Sequence, residues 1–164
     1  MPKKQTIQKY KDIIKSGKFT EQEIISFRSL LNNNPRTTEF YDLITFFGDH
    51  APFELTWVQQ EKGLEWLKNR IFTKSGNIRN TQETNEISNR TNALEQIAEM
   101  IKNFDRFEFA DLVPQNRFTG GFNPFFLPVY RLYDKRGNFF DYTVSVGQIE
   151  IIDLVFTEKY QHVR

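Results

Sequence analysis

The residue types that carry out chemistry are thinly spread through this chain. It contains no cysteine and only two histidines, which removes thiolate nucleophiles, disulfides and thiolate metal sites. His50 stands beside Asp49 in the order of half an acid–base pair or a metal ligand, and His162 lies close to the C-terminus. One histidine and one carboxylate do not make a site. The carboxylates Glu108, Asp111, Asp134, Asp141, Glu150 and Asp153 alternate with apolar residues, the spacing of a solvated strand face. A paired-carboxylate hydrolase or a metal-dependent nuclease needs several carboxylates to converge, and no His or Lys stands in supporting order beside these. A nucleophile elbow and a glycine-rich phosphate motif are also absent. The expectation is a protein that is not an enzyme, with no cofactor and no metal.

What remains is aromatic and basic. Of 164 residues 17 are Phe, and aromatics make up 15%, so the expected core is built from rings. The segment Gln115-Asn116-Arg117-Phe118-Thr119-Gly120-Gly121-Phe122-Asn123-Pro124 sets two Phe among glycines, with Phe125 directly after it. Exposed aromatics dominate interface hot spots and also stack on bases. Arg117, Phe118, Phe122 and Phe125 are therefore candidate protein-binding residues, against the alternative that Phe118 and Phe122 fold back over an aromatic core.

The basic residues form two groups. Residues 1–36 carry a net charge of +5, including Lys4, Lys11, Lys15, Lys18 and Arg28, while the remaining 128 carry −4. Lys68, Arg70, Lys74 and Arg79 follow with no acid between Trp66 and Asn80. Both groups are candidates for contact with nucleic-acid phosphates, the second through Ser, Gly and Asn as well.

These residues need elements to position them. Ile7, Tyr10, Ile13 and Ile14 mark one face of a first helix. Thr20 and Glu23 form a capping box for a second, with Phe19 and Ile24 as the staple, and Asn32-Asn33-Asn34-Pro35 ends it. The pair invites comparison with a helix-turn-helix. Glu21, Gln22, Ser26, Arg28 and Ser29 are a thin set for reading base edges, so a packing hairpin is the alternative. Thr37 or Thr38 opens a third helix with Phe40, Tyr41, Leu43, Ile44 and Phe47 on its apolar face, ending at Gly48. A fourth starts at Thr56, with Trp57, Leu64, Leu67 and Ile71 on one side. Gly63 inside it predicts close approach of a neighbour. Residues 68–90 read as a long polar loop, and Ala93, Leu94, Ile97, Ala98 and Ile101 as a further helix.

From Phe107 the period changes to two. Strands are expected over Phe107–Val113, from Phe125 or Phe126 to Tyr133, from Phe140 to Val146, and from Ile149 to Phe156. Asp134-Lys135-Arg136-Gly137-Asn138 signals a hairpin with Gly137 left-handed. Pro128 marks its strand as an edge or a bulge, and Ile151-Ile152 breaks the alternation. The fold class expected is α+β: N-terminal helices packed on a C-terminal four-stranded antiparallel β-meander. It would be a single domain over residues 1–164, with a helical half at 1–104, the meander at 105–157 and a tail at 158–164.

Three blocks carry a resemblance: Leu55-Thr56-Trp57 to Trp66-Leu67-Lys68, Asn103-Phe104-Asp105-Arg106-Phe107-Glu108-Phe109, and Gly137-Asn138-Phe139-Phe140-Asp141-Tyr142. They are similar to small uncharacterised proteins carried by bacterial phages and mobile elements, over residues 53–152. The resemblance implies a setting in which small accessory proteins bind host or viral macromolecules. No run approaches the roughly 18 to 20 apolar residues of a membrane span, and no secretory signal opens the chain. The expectation is a cytoplasmic protein, in the host cell if phage-encoded. Its partner would be another protein, host or viral, with nucleic acid as the alternative.

Overall fold

A computed structural model describes residues 4–34, 37–115 and 125–156. Within them lie helices α1 (Lys4–Ser16), α2 (Glu21–Asn33), α3 (Thr38–His50), α4 (Trp57–Ile71), α5 (Gln82–Thr91) and α6 (Leu94–Lys102). The strands are β1 (Lys18–Phe19), β2 (Phe53–Leu55), β3 (Phe104–Pro114), β4 (Phe126–Asp134), β5 (Phe139–Ser145) and β6 (Gln148–Val155). The protein is α+β with a mixed sheet of strand order β1-β2-β3-β4-β5-β6. No described helix is long and apolar enough to cross a membrane.

The sheet corrects the expectation of four antiparallel strands. β1 and β2 extend it to six, and they pair in parallel, Lys18 with Glu54 and Phe19 with Leu55. Elements of two and three residues are too short to show a period of two. Phe19, which directly precedes the Thr20 cap of α2, is also a strand residue and fully buried. β4 lies between β3 and β5, so Pro128 is not on an edge strand. The bulge at Ile152 is present: Asp141 pairs with Asp153 and Tyr142 with Ile151, leaving one residue of β6 extra.

Two compact units are formed, Met1–Thr56 with Glu108–Tyr130, and Trp57–Phe107 with Arg131–Arg164. The division does not follow the boundary between helices and strands.

The first unit has a core of rings. Phe19, Phe27, Phe47, Phe53 and Phe109 are all fully buried. Phe19 lies 5.1 Å from Phe53 and 5.6 Å from Phe109, centroid to centroid, and Phe47 lies 5.3 Å from Phe109. Such offset and edge-on pairs add to the area they bury. The capping box of α2 is complete: Glu23 N–H donates to Thr20 Oγ1 at 3.1 Å and Thr20 N–H to Glu23 Oε1 at 2.9 Å. Thr37 caps α3, which runs through Gly48 to His50.

In the second unit the expected 68–90 loop is mostly structured. α4 runs to Ile71, Phe72 and Ile78 form an antiparallel bridge, and α5 follows. Thr81 and Thr84 make a reciprocal cap, and Thr84 also donates to the Arg79 carbonyl at 2.6 Å. α5 buries only Thr84 and Ile87. A helix with one buried aliphatic residue leaves no apolar stripe to read. Gly63 has the close neighbour it predicts, since a Cβ there would stand 3.3 Å from Phe107 Cε2. At the β4–β5 turn the buried Asp134 accepts N–H bonds from Arg136 and Asn138, both at 2.9 Å, and Asn138 Nδ2 at 2.8 Å. Gly137 has φ 87°, the left-handed position this turn requires.

Candidate protein-interaction surface

Phe125 is the one predicted protein-binding residue among those described; Arg117, Phe118 and Phe122 lie outside them. It precedes β4 and is 48% exposed. Its backbone is held from two sides. The Phe125 carbonyl accepts Gln115 N–H at 2.7 Å, and the next N–H, of Phe126, donates to Asn32 Oδ1 at 2.9 Å. Asn32 sits in the last turn of α2, so a residue read only as a helix stop also anchors the start of β4.

Behind Phe125 the rings continue. Phe126 packs on Phe40 of α3 at 5.4 Å, and Phe40 meets Tyr41 edge-on at 5.3 Å. Phe40 is buried while Tyr41 is 57% exposed. Tyr41 and Phe125 are thus both exposed within one compact unit, Tyr41 against the Phe40 ring and Phe125 next in sequence to Phe126. The expectation of Tyr41 on the inner face of α3, with Phe40, Leu43, Ile44 and Phe47, is corrected. At 100° per residue it turns away from the Phe40–Leu43–Phe47 stripe, and that step is the signal available in the sequence.

The two rings offer exposed apolar area, and Tyr41 adds a phenol. Their preorganisation lies in the clamp and the packed rings, which lower the entropy lost when a partner covers them. Exposed Asp42, the residue after Tyr41, is paired with Lys11 Nζ at 2.7 Å.

The predicted basic residues are divided between the units. In the first, Lys11 and Lys15 stand over the Phe46 ring at 5.6 and 5.9 Å, and Lys4 and Lys18 are exposed. Arg28 is half-buried, and its Nε is buried without a hydrogen-bond partner. Its charge acts on Tyr130, whose phenol is pushed up by burial, with Arg28 pulling the other way and Glu21 adding to the rise.

In the second unit Lys68 and Lys74 are exposed, whereas Arg70 and Arg79 are engaged by the protein. Arg70 forks onto Glu83 at 2.9 and 3.1 Å and donates to the Gly147 carbonyl at 2.5 Å. Arg79 Nε is shared by the carbonyls of Asn69 and Phe72, both at 2.9 Å. Arg131, which sequence reading passes over, forks onto Asp141 at 2.8 and 3.0 Å. That fork holds the guanidinium charged, well above its ordinary range.

His50 is also accounted for locally: its Nδ1 lies 2.8 Å from the Phe46 carbonyl and its ring stacks on Phe46 at 4.3 Å. Among the described residues no three of His, Asp and Glu stand together as they would around a metal ion. No protein-family model matches the chain, no curated protein matches its sequence, and no solved structure matches its fold.

Proposed function

We propose that this chain is a non-enzymatic accessory protein of a phage or mobile element, acting in the host cytoplasm by binding a host or viral protein. The observation that carries the reading is the exposure of Tyr41 and Phe125, the first against the packed Phe40 ring and the second beside backbone held by Asn32. Aromatic side chains with few rotatable bonds, backed by a rigid support, are the usual anchors of protein interfaces. Arg117, Phe118 and Phe122 immediately precede this surface in the chain and are included in the proposed contact.

The test is capture of host and viral proteins on the immobilised chain, compared with a Tyr41→Ser/Phe125→Ser variant. The expected result is a defined set of partners lost in the variant at unchanged melting temperature. An identical set in both, or none in either, would refute the reading. The nucleic-acid alternative loses support from Arg70, Arg79 and Lys11, which already bond to protein groups. It would regain it if DNA bound at roughly 50 mM salt and was released steeply by roughly 200 mM.

A further inference from the structure

β6 ends the strand order of the sheet. Its sequence, Gln148-Ile149-Glu150-Ile151-Ile152-Asp153-Leu154-Val155, holds three Ile and contains no Lys, Arg or Pro, the residues that ordinarily blunt an edge. A strand of that composition is a template for another strand. Its protection comes from its own Asp153 and bulge and from side chains of α5.

The β5–β6 hairpin turns through Val146 and Gly147, at φ 51° and 75°. Ser145 therefore faces Gln148, and Val144 faces Ile149. In a two-residue hairpin the closing pair bonds across the strands, and the N–H of the next residue points outward. The outward N–H of Ile149 is taken by Glu83 Oε2 of α5 at 2.7 Å. Glu83 is itself fixed by the Arg70 fork.

Ile149 and Ile151 line a small cavity with Ile87, Arg90 and Thr91 of α5, so α5 lies on their face of the strand. Glu150, between them, belongs to the opposite face. Arg90 nevertheless pairs with the Glu150 carboxylate, so this pair wraps the outer edge of β6. Further along, Ile152 is bulged, and Asp153 Oδ1 takes the N–H of Leu154 at 2.8 Å.

We propose that Glu83, Arg90 and Asp153 guard this edge against a second copy of the chain, whose own β6 would otherwise add to it antiparallel. Ile151 shares the parity of Ile149, so its N–H and carbonyl also point outward. A two-fold axis through Ile151 would let each copy give and receive the same pair of bonds, the isologous geometry of a symmetric dimer. Arg90 is the movable part, its side chain being 60% exposed.

The test is sedimentation of the full chain carrying Arg90→Ala and Asp153→Ser, which leaves Arg70 and Glu83 in place, with amide exchange recorded alongside. Self-association is expected to rise by about tenfold or more over the unsubstituted chain, with exchange at the Ile151 amide slowed in the associated form. Unchanged association would overturn the proposal. So would association without slowing at Ile151, which would locate the contact elsewhere. A variant that fails to fold would overturn it too, because the two side chains would then be holding the unit together and not guarding its edge.

Discussion

Two glycines inside helices set up a comparison in which one chemical change should have opposite signs. Gly48 lies in α3 with nothing within 4 Å of where a Cβ would be. Gly63 lies in α4, where a Cβ would stand 3.3 Å from Phe107 Cε2 and 3.7 Å from two further ring atoms. Replacing a helical Gly by Ala gains about 0.5–1 kcal/mol, mostly by restricting the unfolded chain. At Gly48 nothing opposes that gain, though the site is in the last turn, so about 0.5 kcal/mol is expected.

At Gly63 the ring has to yield. Phe107 is buried, and its ring is flanked by Phe104 at 4.8 Å and Tyr142 at 6.4 Å. Overpacking a core costs about 1–3 kcal/mol, and a contact only slightly inside normal distance belongs at the low end. Gly63→Ala should then be net destabilising by roughly 0.5 kcal/mol, since the strain outweighs the entropy term. Urea unfolding midpoints of both variants at constant slope provide the assay. A Phe107→Leu background supplies the coupling, because a smaller side chain there should let the Gly63→Ala change recover its gain. If Gly63→Ala stabilises as much as Gly48→Ala, Phe107 does not press on α4.

Two more expectations follow from backbone and burial. Val146 is 76% exposed and holds φ 51°, a conformation that costs a β-branched residue about 1–2 kcal/mol. Asn is favoured at that turn position, so Val146→Asn should raise the urea midpoint by about 1 kcal/mol equivalent, and a fall would show that Val146 is not strained. Burial raises the phenols of Tyr10 and Tyr130 above the usual 10.0. The unfolded chain therefore loses those protons first as pH rises. Their stabilising effect is complete below pH 10.0 and disappears as pH climbs through the folded values. Ultraviolet titration should show late-ionising phenol absorbance that Tyr10→Phe and Tyr130→Phe each reduce. Melting temperature should fall on the alkaline side, less steeply in Tyr130→Phe; unchanged late absorbance in both variants with flat melting would contradict this.

Legibility in the sequence follows the range of the forces involved. The α2 capping box, the Gly137 turn and the Ile152 bulge depend on residues a few positions apart, and each is readable. The alternation of Phe140, Tyr142 and Val144 reveals β5 as a strand, but the solvated face it implies is not there, since Asp141, Thr143 and Ser145 are buried as well. β1, β2 and α5 are not readable, for related reasons. Lys18–Phe19 and Phe53–Leu55 are strands because each finds a partner far along the chain, Glu54–Leu55 and Phe109–Glu108. α5 buries one aliphatic residue and is held by its Thr caps and by Glu83 and Arg90, whose partners lie 66 and 60 residues away in β6.

The candidate site shows the same division. Residue type alone places Arg70 and Arg79 with Lys68 and Lys74 as cations awaiting phosphate. The arginines differ from the lysines in having planar forks that satisfy several acceptors at once. Arg70 uses its fork on Glu83 and the Gly147 carbonyl, while Lys68 and Lys74 remain at the surface. The chain to β6 then runs through named bonds: Arg70 orients Glu83, and Glu83 caps the Ile149 N–H. A stretch that reads as a basic loop therefore acts in the fold as the support of a sheet edge. Replacing Arg70 should be felt in the exchange rate of the Ile149 amide before it is felt anywhere in an assay with DNA.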